Sequence, residues 1–282
     1  MNQLEGIPMP KALTFDSDSA PVDRRRLYKL SPPNPSLRYL EARAIFEIGS
    51  ILPNMPRLIG EPRGDGRKVI LMPGFLADDR SMWPLQRFLS FLGYDARGWG
   101  LGRNTGDPEA LAAAFIARLD AMELDDAGVT LLGWSLGGVV ARIVAMRRAG
   151  VVREVITLGT PVEGGPKYTA AGSIYAEKRG LDLDEFEEHV HRMNREGLGV
   201  PLTVIYSRTD AIVSWRAAID RYNPHARHIH VQSSHVGLGF SPRVWRIVAR
   251  TLHASSEITR GQASRSANRR LRRRPPASGA PP

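Results

Sequence analysis

The stretch Gly128-Val-Thr-Leu-Leu-Gly-Trp-Ser-Leu-Gly-Gly138 joins a short run with no polar alternation to a helical pattern that continues to Arg148 and stops before Gly150. A run of that kind reads as a strand buried on both faces. The turn after it contains Gly133-Trp-Ser135-Leu-Gly137, the strand–turn–helix setting of a nucleophile elbow. With 27 glycines in the chain, an isolated Gly-x-Ser-x-Gly proves little, so its weight comes from this placement. The serine backbone is strained in such a turn, and side chains on either side would strike the neighbouring strand and helix. The serine hydroxyl is thereby raised at the carboxyl edge of a sheet.

Outward from the elbow, apolar runs and helical patterns alternate. Lys68-Val-Ile-Leu-Met72, the segment around Tyr94 to Trp99, Val155-Ile-Thr-Leu158, Leu202-Thr-Val-Ile-Tyr206 and the short run His228 to Val231 read as further strands. Asp107-Pro-Glu109 starts a helix with a capping acid, a first-turn proline and an acid at the positive dipole end, followed by Leu111, Phe115 and Leu119. The alternation predicts an α/β fold with a doubly wound, mainly parallel sheet. Residues 36–52 are predicted helical, with Leu40, Ile45, Ile48 and Leu52 forming an apolar side expected to pack on the core; membrane insertion is the alternative. Residues 162–199 form an insertion with Leu183, Phe186, Val190 and Met193 at helical spacing, expected to be a small cap over a site.

A serine becomes nucleophilic when a histidine takes its proton and a carboxylate orients that histidine. In this fold the chain order is serine, acid, histidine. Asp210 lies just beyond the strand ending at Tyr206, and His235 follows the last strand in Ser234-His-Val-Gly-Leu238. Both come after Ser135 on loops expected at one sheet edge. The other six histidines lie in the cap helix (His189, His191), in or before a strand (His225, His228, His230) or at the end of the last helix (His253). Asp78, Asp79 and Asp107 have capping-type explanations. The backbone amides of Phe75, after Pro73-Gly74, and Leu136 are the expected oxyanion donors. Trp134, Phe186 and Val190 are candidates to shape an apolar acyl pocket, with core packing as the competing reading.

The set Pro73-Gly-Phe75, Gly133-Trp-Ser-Leu-Gly137, Gly159-Thr-Pro161, Asp210-Ala-Ile-Val213 and Ser234-His-Val-Gly-Leu238 resembles the α/β-hydrolase superfamily, most closely its bacterial lipases and esterases, over about residues 66–253. The resemblance implies a Ser135–His235–Asp210 serine hydrolase with a cap, no cofactor and a small ester substrate with an apolar acyl group. An acyltransferase or thioesterase would use the same triad. Many lipases carry His-Gly where this chain has Pro73-Gly74. The segment Gly98-Trp-Gly-Leu-Gly-Arg-Asn104 is unlike a generic hydrolase, and Thr105 in the third glycine position separates it from a dinucleotide fingerprint.

The chain has 282 residues and no cysteine, which excludes disulfides, thiolate metal sites and a cysteine nucleophile. Its formal charge of +10 suggests a polyanion binder until its distribution is considered. Seven arginines against Glu257 put +6 of that charge in residues 254–282, a stretch poor in large apolar side chains and expected to be a disordered Arg-rich tail. No nucleic-acid-binding motif accompanies the tail, which is left as a candidate for weak contact with an anionic membrane surface, or in another class of reading for polyanion binding. Residues 1–35 hold six prolines and no sustained periodicity, so a poorly ordered lead-in is expected, with the hydrolase domain at 36–253. They lack the apolar core of a secretory signal, and prolines follow Arg24-Arg-Arg26 where a twin-arginine signal needs apolar residues. A cytoplasmic location, peripheral at the membrane through the tail, is the expectation.

Overall fold

A computed structural model describes residues 30–125, 127–180 and 182–272. At its centre is a six-stranded, all-parallel sheet of β1 (Lys68–Met72), β2 (Asp95–Gly98), β3 (Val129–Trp134), β4 (Val152–Leu158), β5 (Leu202–Ser207) and β6 (Arg227–Val231). The strand order is β2-β1-β3-β4-β5-β6. This is the doubly wound, parallel α/β arrangement expected from the alternation, and every strand read from the sequence is present. Within each strand, successive side chains turn to opposite faces. Val69, Leu71, Leu132 and Ile156 join one core with helices α3 (Asp79–Phe91) and α8 (Pro242–Arg272). Ile70, Met72, Leu131 and Val155 join the other with α4 (Pro108–Asp120) and α5 (Leu136–Arg147). Burial on both faces is why these strands read without polar alternation.

β1 pairs with β2 on one side and β3 on the other, so the strand order reverses there. In open α/β sheets the crevice at such a reversal, beyond the carboxyl ends of the strands, is where ligands bind. The loops after β1 and β3 both leave at this point. Asp78 and Asp107 are caps, accepting from the amides of Arg80 and Ala110 at 3.0 and 3.1 Å. Asp79 instead accepts from the amides of Trp99 and Gly100 at 3.0 and 3.1 Å, tying the loop after β2 to the start of α3.

Three segments differ from the sequence reading. The N-terminal helical segment is a 3-10 turn (Pro35–Ala42) followed by α1 (Arg43–Gly49) and α2 (Ile51–Ile59), and its expected core face points outward: Ile45, Ile48 and Leu52 are exposed. Ala44 and Leu58 make the inward contacts instead. The tail expected to be disordered from residue 254 continues α8 as far as Arg272. Once a helix is nucleated by the packing of Val244, Trp245, Val248 and Leu252, each further residue adds a hydrogen bond at small cost. Residues 273–282, and all but the end of the 1–35 lead-in, lie outside the described residues. The insertion at 162–199 holds a 3-10 turn (Gly165–Tyr168) and two helices, α6 (Gly172–Arg179) and α7 (Leu183–Asn194), where the sequence indicated one. Among the described residues no helix is long and apolar enough to cross a membrane.

Candidate active site

Ser135 sits between β3 and α5 with φ 53° and ψ −123°, one of two non-glycine residues with positive φ among the described residues. Such a conformation costs roughly 1–3 kcal/mol and persists only where the surroundings impose it. Here the Ser135 amide donates to the Leu158 carbonyl at 2.8 Å, and its carbonyl accepts from Thr160 Oγ1 at 3.0 Å. A Cβ on Gly133 would lie 2.3 Å from Gly138 Cα, and one on Gly137 would lie 2.2 Å from the Met72 carbonyl oxygen. The glycines of the motif are thus required by close backbone approach on both sides of the turn.

His235 Nδ1 lies 2.7 Å from Asp210 Oδ2. The other carboxylate oxygen of Asp210 accepts from the amides of Ile212 and Val213 at 2.9 and 2.7 Å, which fixes its orientation. Both groups are buried, 5% exposed for His235 and 3% for Asp210, so the pair is shielded from water. Burial, the largest influence on His235, pulls its pKa down; the charge of Asp210, the hydrogen bond to it and the more distant charge of Glu41 outweigh that and raise the pKa above its ordinary 6.5. Gly159 leaves space for the pair, since a Cβ there would lie 3.0 Å from Asp210 Oδ2 and 3.2 Å from His235 Nδ1.

The loop after β1 is the opposite wall. Leu76 is the other such non-glycine residue among those described, with φ 61°, and its amide donates to the Asn104 carbonyl at 2.9 Å. The buried Asn104 side chain in turn donates to the Pro73 carbonyl at 2.9 Å. The unusual segment ending at Asn104 therefore braces the loop that carries Phe75. Neither the Phe75 nor the Leu136 amide donates to a protein acceptor among the described residues.

A cavity opens at Ser135, lined by Phe75 and Leu136 on one side and by the cap residues Phe186 and Val190 on the other. Leu136, Val139, Ile143 and Met146 form one wall along α5, a span of about 15 Å at 1.5 Å per residue. The cap is tied down where Tyr175 donates to the Gly106 carbonyl and its ring meets Phe75 edge-on at 6.0 Å. Trp134 does not line this cavity, correcting the expectation that it shapes the acyl pocket. As the last residue of β3 it turns away from the raised serine, packs near Phe240 and donates from Nε1 to the His235 carbonyl at 3.2 Å.

Two residues that the motif reading missed hold the histidine loop. Glu41 accepts from the amides of Ala211 and His235 through Oε1 at 3.1 and 2.9 Å, and from Val236 through Oε2 at 3.2 Å. Glu47 Oε2 accepts from the Ser234 amide and hydroxyl at 3.3 and 2.7 Å. They lie almost two hundred positions upstream of their partners, and no local pattern marks a carboxylate that will accept from a distant loop.

A family model described as the alpha/beta hydrolase family matches residues 69–279. No curated protein sequence matches the chain. Among solved structures, mouse alpha/beta hydrolase domain-containing protein 10 is 17% identical with a TM-score of 0.53, covering 70% of this chain and 92% of its own. A structure of the metagenome-derived lipolytic enzymes LipS and LipT is 14% identical with a TM-score of 0.53, covering 70% of this chain and 96% of its own. At such identities the likeness concerns the fold.

Proposed function

This chain belongs to the alpha/beta hydrolase family, and from that premise we propose that it is a serine hydrolase cleaving carboxylic esters with an apolar acyl group. The observation that carries the reading is the strained Ser135 at the head of an apolar cavity, on the same sheet edge as the buried His235–Asp210 pair. Ser135 Oγ attacks the ester carbonyl while His235 Nε2 takes its proton; Asp210, held at Nδ1, stabilises the imidazolium. The Phe75 and Leu136 amides receive the developing oxyanion. The C–O bond to the alcohol then breaks, the alcohol leaving with the proton from His235, and water releases the acid by the same steps in reverse roles. The cavity wall along α5 and Phe186 of the cap hold the acyl group.

The test is an alkyl fluorophosphonate probe, in which Ser135 Oγ bonds to phosphorus as the P–F bond breaks and fluoride leaves. Wild type is expected to label and Ser135→Ala to remain unlabelled; equal labelling would remove Ser135 from the mechanism.

The raised pKa of His235 sets a pH profile. Only the neutral ring accepts the serine proton, so kcat/KM is expected to fall as pH drops, with an acid limb above pH 6.5. Asp210→Asn removes the charge that raises the pKa and is expected to move the limb downward while lowering the plateau. Stability runs the other way: a histidine whose pKa is raised on folding contributes fully below its unfolded value and loses that contribution as pH rises through the folded one. An unchanged limb in Asp210→Asn would contradict the pairing.

A further inference from the structure

The outer face of the N-terminal helical segment carries an unusual load. Ile45, Ile48, Leu52, Met55 and Ile59 recur at 3,4,3,4 spacing, which places them in one stripe, and all are exposed, Ile45 by 73% and Leu52 by 78%. Tyr39 and Phe46 beside the stripe are 86% and 78% exposed. The inward face is satisfied by Leu58, Ala44, Glu41 and Glu47, so the stripe is surplus to the packing of this fold. Single exposed apolar residues are ordinary; an ordered stripe on a helix marks a docking surface.

The charges on the same segment identify the partner. Its acids, Glu41 and Glu47, face the body and hold the histidine loop, and just beyond it the buried Glu61 accepts from Arg246 and Arg250. The charges left on the outside are positive. Arg38 and Arg57 are exposed, Arg38 and Arg43 form no ion pair among the described residues, and beyond the segment's end the exposed Arg63 stacks over the half-exposed Phe91 at 4.7 Å from the ring centroid. An apolar stripe flanked only by arginines matches the interface of an anionic bilayer, where side chains enter the acyl boundary and guanidinium groups meet phosphates. It is poorly suited to a second copy of itself, because an isologous pairing would bring these arginines together. We propose that the 35–59 helical segment docks the protein on anionic lipid surfaces, lying in the interface plane. Because Glu41 accepts from the His235 amide, a docked helix also holds the histidine side of the site at the bilayer.

The test uses the full chain, so that the arginines of the C-terminal tail are present in every protein. Wild type and the triple variant Ile45→Ser/Leu52→Ser/Ile59→Ser are sedimented with phosphatidylcholine vesicles with and without phosphatidylglycerol, at low and high salt. Wild type is expected to partition onto the anionic vesicles and the variant about a hundred-fold less, three immersed aliphatic side chains having been removed. Circular dichroism and turnover of a short water-soluble ester are expected to match wild type. Equal partitioning of both proteins, lost at high salt, would assign binding to the tail and overturn the proposal. A dimer in sedimentation velocity that the triple substitution separates, without vesicle binding, would assign the stripe to a second copy and overturn it too. The vesicle measurement stands whether or not ester turnover is found, so failure of the catalytic reading is distinguishable.

Discussion

Replacing His235 with alanine is expected to lower ester turnover by about 10⁴- to 10⁶-fold, the range found when a residue of a serine–histidine–carboxylate set is removed. The size follows from the chemistry. Without the imidazole, the Ser135 hydroxyl must lose its proton to water and the departing alkoxide must take one from water, so two steps lose their catalyst. Ser135→Ala should fall in the same range, and the double variant Ser135→Ala/His235→Ala no lower than either single one, because the residues act as a unit. The folded state should survive these changes better than the activity does. Turnover with a chromogenic ester, paired with thermal unfolding of each variant, separates the two effects. An additive double variant, or His235→Ala within ten-fold of wild type, would mean that the His235–Asp210 pair is not the proton relay.

The second large effect is structural. Gly137→Ala is expected to cost more than about 3 kcal/mol or to prevent folding outright, because the new Cβ would stand 2.2 Å from the Met72 carbonyl oxygen and 2.5 Å from that of Pro73. Both obstacles are backbone in and just after β1, and moving them would shift the loop that carries Phe75. A loss of that size corresponds to a melting temperature lower by roughly 6–12 °C for a domain of this class. The control is Gly150→Ala, where a Cβ meets nothing within 4 Å and stability should change by less than about 0.5 kcal/mol. If Gly137→Ala melted with wild type, the tight apposition of β1 and the elbow helix would be refuted.

Much of the candidate site's sheet edge was legible in the sequence because its signals are local. A strand buried on both faces needs consecutive apolar residues, and a turn pressed between strand and helix needs glycine. Lys68–Met72 and Val129–Trp134 therefore announce themselves, as does the Gly133–Gly137 turn. Chain order singled out Asp210 and His235 as candidates, and the structure pairs their side chains at 2.7 Å. Trp134 was a pocket candidate beside a core-packing reading because it adjoins Ser135, yet adjacent residues at a strand's end turn opposite ways, and only the sheet's orientation tells which way is the cavity. The tail as far as Arg272 was misread from composition, which registers few apolar side chains but not the helix already nucleated upstream.

What the sequence determined by itself was the alternation of strands and helices, the elbow at Ser135, and the order of the groups that follow it. Each depends on interactions among residues a few positions apart: strand pleat, helix period, turn sterics. The tertiary structure alone decided that Glu41 and Glu47 clamp the loop of His235, that Asn104 braces the loop of Phe75, and that the stripe from Ile45 to Ile59 faces outward. Periodicity shows that a helix has an apolar side, but the same pattern serves a core and a surface. Which one it meets depends on the neighbours that fold against the opposite face, and here those neighbours are the histidine loop and the last helix.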